Sequence, residues 1–322
     1  METVACQLCN SRKYTVQFSA YDYITNEAHV LVRCDNCNFS YVNPQPTVDQ
    51  LQKYYPESYY GDDQFLYEKI DNFIRFKKIK ELFPDTTGTI LDIGCGKGLL
   101  LKALEDINWK VHGIELSETS ALYAKKKLNI KIATQMLDTC NFPSNHFDLV
   151  TMFHSLEHMK EPKKILKEIH RVLSDDGILL IEVPKFDSLF SKLFKEKWFH
   201  LDLPRHLYHF ENFSIKKILK DSGFQIIDHK NFAFFYDIFG NIQSCYNFIC
   251  SKVNLFNDFN TKRLTIKSIK KFRHRNRIYL DLLFCHLTFP VFFLVMLLLS
   301  IVLSLFNQGG TLIILAQKHP TI

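Results

Sequence analysis

Hydrophobic and polar positions follow three different patterns along the chain. Between 88 and 185, short apolar runs alternate with stretches whose apolar residues recur at helical spacing. The runs 89–93, 110–114, 131–134, 147–152 and 177–182 read as strands, and 97–107, 117–128 and 161–173 read as helices. Strands separated by helices predict a parallel sheet. Pro162 near the start of the third helix, and the turn Asp175-Asp176-Gly177, punctuate the pattern. A further helix over 215–222 closes on Gly223, and a sixth strand follows over 224–229. Upstream, Phe65, Ile70, Phe73, Ile74, Lys77 and Leu82 predict one amphipathic helix over 63–86, ended by Pro84.

The second pattern occupies residues 1–60. Two short strands, 14–18 and 29–33, stand between Cys6-x-x-Cys9 and Cys34-x-x-Cys37. The chain starts with Met-Glu-Thr-Val-Ala-Cys, with no basic start followed by an apolar run, so this part is expected in the reducing cytosol. There, paired cysteines point to metal rather than disulfides. Four thiolates in two knuckles suit a structural Zn2+, with no position left for water. A small β unit has little core, so the metal would supply its folding energy. Aromatic and proline residues follow, from Tyr41 to Tyr60, as a packed linker or a cover for the site mouth.

The third pattern fills 232–308. Residues 232–256 are rich in Phe and Tyr, 262–277 carry Lys262, Arg263, Lys267, Lys270, Lys271, Arg273, Arg275 and Arg277 with no acid, and 282–306 contain no charged residue. Much of the chain's net charge of +6 is therefore local. Twenty-five uncharged, mostly apolar residues are long enough to span a bilayer, and a basic cluster before them fits an anionic cytoplasmic leaflet. A strand over 311–316 must stay with the sheet, which a single crossing would forbid. The expectation is that 279–306 enters and returns, broken at Pro290 into two arms too short to cross. A true span and a buried helix pair are the alternatives. This places the chain on the cytoplasmic side of a membrane. The basic run is explained by the apolar neighbour, so no nucleic-acid partner is expected.

Chemistry concentrates after the first strand of the sheet. Asp92 is followed by Gly94, Gly96 and Gly98, a turn without side chains in the way, at the start of a helix. A dinucleotide fingerprint needs a glycine at position 99, which is Leu99. Glu115, about twenty residues on, ends the neighbouring strand, where a carboxylate can accept both hydroxyls of a ribose. Leu137 and Asp138 follow the third strand, where an adenine ring would sit. His154-Ser-Leu-Glu-His158 leaves the fourth strand at the sheet edge where ligands bind.

The glycine spacing, Phe147-Asp-Leu-Val, His154-Ser-Leu-Glu-His158, Arg171-Val-Leu-Ser-Asp-Asp-Gly177 and Ile181-Glu-Val-Pro184, taken in that order, resemble the class I S-adenosylmethionine (SAM)-dependent methyltransferases over about 86–232. The resemblance implies a Rossmann-like, seven-stranded α/β sandwich. Its last strand would insert antiparallel between the fifth and sixth, here delayed by the insertion before it. It implies a SAM site from Asp92, Gly94, Gly96, Gly98, Glu115, Leu137, Asp138 and His154. The domains would be 1–60, a zinc-ribbon-like unit, 61–231, the SAM-binding core, 232–308, the membrane-associated insertion, and 309–322, the last strand.

A sulfonium methyl donor is already activated, so alignment and deprotonation of the acceptor are what the protein must add. His158 suits a base, or a ring that packs on the cofactor. A second cluster, Trp198-Phe-His200-Leu-Asp202-Leu-Pro204-Arg205-His206-Leu-Tyr208-His209-Phe210, offers His206 and His209 as further catalytic candidates. It resembles a stretch of bacterial methyltransferases of surface-polysaccharide and sugar pathways. That likeness implies aromatics on a sugar face and a phosphate held by Arg205. The expected acceptor is a small molecule, sugar or lipid-linked glycan at the cytoplasmic membrane face. A polyprenyl or quinone-type lipid, or a non-catalytic membrane scaffold, are the alternatives.

Overall fold

The computed structural model describes residues 1–56, 66–84 and 86–319. Tyr59, Tyr60 and Phe65 lie outside the described residues, as does the start of the helix expected from 63. The chain divides into two compact units, each assembled from separated stretches. One combines the described residues of 1–63 with 184–211 and 231–311; the other combines those of 64–183 with 212–230 and 312–322.

The second unit holds a seven-stranded mixed sheet. Its strands are β4 (Thr89–Ile93), β5 (Lys110–Ile114), β6 (Ile132–Ala133), β7 (Phe147–Phe153), β8 (Leu173–Pro184), β10 (Phe224–Lys230) and β11 (Thr311–Lys318), in the order β10-β11-β8-β7-β4-β5-β6. β4 to β8 run parallel, and β11 runs antiparallel to β10. The last strand thus lies between the fifth and sixth strands of this sheet, as the sequence predicts. Ile90, Leu91, Leu149, Val150, Leu179 and Leu180 are all fully buried, the near-continuous apolar run of central strands covered on both faces. The helices are α1 (Leu66–Leu82), α2 (Leu99–Glu105), α3 (Glu118–Tyr123), α4 (Pro162–Val172) and α5 (Asn212–Asp221). α4 starts on Pro162, whose missing N–H costs nothing at a first turn, and buries Ile165, Leu166, Ile169 and Val172 on one face.

The first unit departs from the expected boundaries. Residues 1–60 do not stand as a separate ribbon, and 232–308 do not form a unit of their own. β1 (Tyr14–Tyr21), β2 (Ala28–Cys34) and β3 (Ser40–Val42) form an antiparallel sheet, and β9 (Tyr208–His209) joins its edge by pairing with β3. One apolar cluster runs through the unit. It includes Leu31 and Val42 from this sheet, Trp198 and Leu201, Ile238, Ile242 and Tyr246 from α6 (Phe234–Ile249), and Cys285, Met296 and Leu303 from α7 (Arg275–Leu305).

α7 also corrects an expectation. It is one helix of 31 residues that runs through Pro290, not two arms broken there. A proline inside a helix removes one backbone bond and costs about 3 kcal/mol. Here the helix is held on both sides of that point. The Tyr246 hydroxyl donates to the Cys285 carbonyl at 3.0 Å, and Asn241 Nδ2 donates to Ser300 Oγ at 3.0 Å. Phe289, Phe292 and Phe293 pack on the same cluster between them.

The segment 198–210 is a core segment rather than a cover over an acceptor. Trp198, Tyr208 and Phe210 are buried, and Phe39 stacks on Tyr208, so none of the three presents a free aromatic face. Arg205 is fully buried and saturated. Its guanidinium donates to Asp22 at 2.6 Å, to Asp202 at 2.7 and 2.9 Å, and to the Tyr54 carbonyl at 3.0 Å. It is a structural cation and not a phosphate ligand. Removing one member of such a network strands buried charge and costs about 3–5 kcal/mol. Arg205→Met is therefore expected to lower unfolding stability by about that much in urea denaturation. A stable Arg205→Met protein would return the side chain to ligand binding.

Candidate active site

β4 is the strand where the sheet reverses direction: β5 and β6 lie on one side, β7 and β8 on the other. In open parallel sheets, ligands bind beyond the carboxyl ends of strands at such a switch point. The glycine turn leaves β4 there. Gly94, Gly96 and Gly98 have φ of 78°, 53° and 74°, in the left-handed region. Gly94 also lacks room: a Cβ would stand 2.7 Å from the Ser155 Cβ, whose hydroxyl donates to the Ile93 carbonyl at 2.8 Å. Gly96 is the opposite case, with no atom within 4 Å of where its Cβ would be. A bare backbone bend facing open space is a cradle that any side chain would fill.

Glu115, just past β5, closes the other side. Its carboxylate accepts the Gly96 N–H at 3.1 Å and the Ser117 N–H at 2.9 Å. Burial raises its pKa, and these backbone donors pull it back. Turn and carboxylate are thus fixed to one another before any ligand binds. Asp92, buried at the end of β4, accepts the Thr151 hydroxyl at 2.7 Å, and burial pushes its pKa up to about 6. These residues fit a SAM-type nucleoside: a side-chain-free turn, and a carboxylate one strand over for ribose hydroxyls.

The resemblance assigns His154 to the cofactor site, but not the ion-pair network that holds it. His154, immediately after β7, sits at φ 51°, and its Nε2 lies 2.8 Å from Glu182 Oε1. Arg75 of α1 reaches Asp71 at 2.8 Å and Glu182 at 3.6 Å, and lies over the Phe153 ring. Burial alone would raise the Glu182 pKa, but Arg75 and His154 hold it down to about 2. Burial likewise opposes charge on His154, but Glu157 and Glu182 raise its pKa. Glu182 thus engages the His154 Nε2 and fixes the ring. The hint was available in Glu182 at the end of the fifth sheet strand. Its partner Arg75 lies on a helix that periodicity explains without it. Lys97, within the turn, is likewise fixed, 3.5 Å from Glu68 and over the Tyr123 ring.

The remaining predicted residues fall in different places. His158 ends the single turn after β7, half-buried, and its charge acts on Glu115. Leu137 is a core residue, and exposed Asp138 turns its carboxylate to Lys164 of α4 at 2.7 Å. His206 and His209 are buried in the first unit, where His206 Nδ1 lies 2.8 Å from the His200 carbonyl. Cys6, Cys9, Cys34 and Cys37 converge, with all four Sγ atoms within 4.8 Å of one another.

Comparison with known proteins identifies the domain that carries this turn. A family model described as "Methyltransferase domain" matches residues 66–229, half of the sequence. The chain belongs to that family, with the class I SAM-dependent methyltransferase fold. Ubiquinone biosynthesis O-methyltransferase of Coxiella burnetii is 30% identical over 113 residues, 34% of this chain and 48% of that protein. The mitochondrial ubiquinone biosynthesis O-methyltransferase of Candida albicans is 31% identical over 142 residues, 41% of this chain and 43% of that protein. The chain thus spans about half the length of these curated relatives. In fold, it is similar to a solved structure of the [4+2]-cyclase SpnF, with TM-score 0.51 and 17% identity over 80% of this chain and 84% of that one.

Ionising Asp92 costs folding energy, because its folded pKa of about 6 lies above the ordinary 3.8. Its contribution is fully favourable below pH about 3.8 and is lost as pH rises through about 6, a change of up to about 3 kcal/mol. Asp92→Asn removes that slope. Urea denaturation across this window should show the variant gaining on the native protein as pH rises. A constant difference would contradict the buried, titrating carboxylate.

Proposed function

We propose that this protein transfers a methyl group from SAM to an acceptor carried on a lipid at the cytoplasmic face of a membrane. The observation that carries the reading is the turn at Gly96, open where a side chain would stand and hydrogen-bonded to Glu115. When bound, SAM supplies an activated methyl on a sulfonium. The chain's own residues then have three tasks. Gly94 to Gly98 present backbone to the nucleoside, Glu115 accepts its ribose hydroxyls, and Asp92 with Thr151 holds the end of β4 in place. His158, half-buried on the turn after β7, is our candidate to take the acceptor's proton, since His154 is held by Glu182. The intact turn and Glu115 favour catalysis over a non-catalytic scaffold.

Two observations bear on the acceptor. Buried Arg205, Trp198, Tyr208 and Phe210 take away the residues that a sugar or lipid-linked glycan would have used. The ubiquinone biosynthesis O-methyltransferases among the relatives favour the second reading, methylation of a quinone-type or polyprenyl lipid. Both readings suit the basic run 262–277 followed by α7, a helix long and apolar enough to cross a membrane by length and composition.

The four cysteines of the first unit suit a structural Zn2+. At Zn–S of about 2.3 Å, tetrahedral sulfurs stand about 3.8 Å apart. The Cys6–Cys37 and Cys9–Cys34 sulfurs lie 3.4 and 3.5 Å apart. The metal would stabilise the fold and leave no open position for chemistry.

The deciding experiment is incubation of the purified protein with labelled SAM and membrane lipid extract, with mass analysis of the methylated product. A methylated quinone-type lipid supports the second reading, and a methylated glycolipid supports the first. Gly96→Val should abolish SAM binding in calorimetry and leave metal content unchanged; normal binding would refute the turn assignment. Separately, Cys34→Ser should lose about one equivalent of zinc in a metal assay and lower the melting temperature. Unchanged metal content would refute the zinc site.

A further inference from the structure

The N-terminal end of α7 borders a cavity that methyl transfer does not use. It has a volume of about 640 Å3 and lies within the first unit, between the β1–β2 connection, the loop after α6 and the start of α7. Its charged lining is mostly cationic: Lys252, Arg273 and Arg277, with His274 beside them. The one acid in the lining, Asp22, pairs with Arg205 at 2.6 Å, a guanidinium it shares with Asp202. Lys252 is paired with Asp258 at 3.0 Å, and Arg277 Nε with Asp281 at 3.0 Å. Arg273 is exposed and has no ion pair among the described residues. The cavity therefore offers an uncompensated cation held against two anchored ones. Lys267, Lys270, Lys271 and Arg275, all exposed, extend the same field outside it.

An apolar stripe begins where this field ends. Leu280, Leu283, Leu287, Val291, Leu294, Leu298, Ile301 and Leu305 are all exposed along α7, at spacings of three or four residues. They share one face, about 40 Å long at about 1.5 Å per residue. The opposite face is docked on α6, which buries Asp237, Asn241, Gln243 and Asn247. Both ends of α7 are tied to the same unit. Asp281 accepts from the Ser251 backbone N–H at 2.9 Å, and Asn307, just beyond the helix, accepts from Asn231 at 2.7 Å and from Lys185. A helix fixed along its length to a partner with buried amides cannot cross hydrocarbon without carrying those amides in.

We propose that the cavity seats the phosphate of an anionic phospholipid of the leaflet, while α7 lies in the membrane plane with its exposed stripe against the acyl chains. The proposal rests on the membrane reading above and adds a headgroup site to it. Arg273 contacts the phosphate oxygens, and Arg277 and Lys252 complete the cationic wall. Charge sets the source: a basic run beside an apolar face matches an anionic leaflet, whereas parallel pairing of two α7 stripes would bring two basic runs together.

Flotation of the full-length protein with vesicles tests this. Vesicles of phosphatidylcholine with phosphatidylglycerol should bind the native protein at least tenfold more tightly than phosphatidylcholine alone. Arg273→Glu should remove most of that difference. Lys267→Glu, the same charge change outside the cavity, should lose several-fold less. Both side chains are exposed, so both variants should melt as the native protein does. Equal losses from the two variants would show diffuse attraction and overturn the headgroup site. Equal native binding to both vesicles would overturn the site and leave the membrane reading standing. No native binding to either vesicle would overturn the membrane reading itself. Displacement by millimolar inorganic phosphate would make it a free-phosphate site. A dimer in sedimentation that hides the stripe and prevents flotation would assign the face to a second copy.

Discussion

The hydrogen bond from the Gly96 N–H to Glu115 joins the two halves of the proposed nucleoside site through a single contact. It is possible because the chain turns sharply after β4 with positive φ at three alternate glycines, which leaves the Gly96 amide aimed at β5. The turn in turn depends on crowding behind it. Ser155 fills the space where a Gly94 side chain would stand, and Leu101 and Cys95 fill it at Gly113. Glycine is thus favoured at 94 by lack of room and at 96 by a left-handed φ beside open space. Glycine spacing alone does not separate these two reasons, although they have different consequences for substitution.

The sheet was legible because it is locally encoded. Parallel central strands must be apolar on both faces, so β4, β7 and β8 announce themselves, and α4 follows from a one-sided apolar stripe. What was not legible depends on partners far away in sequence. Arg205 stands among aromatics and histidines and reads as a ligand site. Its partners Asp22 and the Tyr54 carbonyl come from the first sixth of the chain, and no local pattern reports them. The same holds for β9, two residues long, whose pairing with β3 binds 198–210 to the cysteine-bearing sheet. Interleaved units of this kind leave no composition shift at their true boundaries.

Histidine placement illustrates a similar limit. His154 and His158 are four residues apart and equally polar in sequence. One ends up at a strained φ in an ion pair with Glu182, which Arg75 anchors from α1. The other is half-buried and acts on Glu115. The difference arises from the single tight turn after β7, which sends the first ring back toward β8. Two neighbouring carboxylates favour the charged form of a buried imidazole and fix its geometry, while a base must be able to exchange its proton near neutrality.

The insertion carries the same lesson in the other direction. Uncharged length was correctly read as exceptional, but Pro290 was given too much weight. Proline breaks a helix when nothing else holds the two sides in line. Here Tyr246 grips the helix before Pro290 and Asn241 grips it after, so the missing bond is bridged by the neighbouring helix. The sequence argument against crossing used the position of the last strand. The structure supplies a stronger one, because α6 lies along α7 with its polar residues buried, and Asn307 ties the far end back to Asn231 and Lys185. An apolar rod tied at both ends to the rest of its unit is what the proposed side-on contact with a bilayer requires.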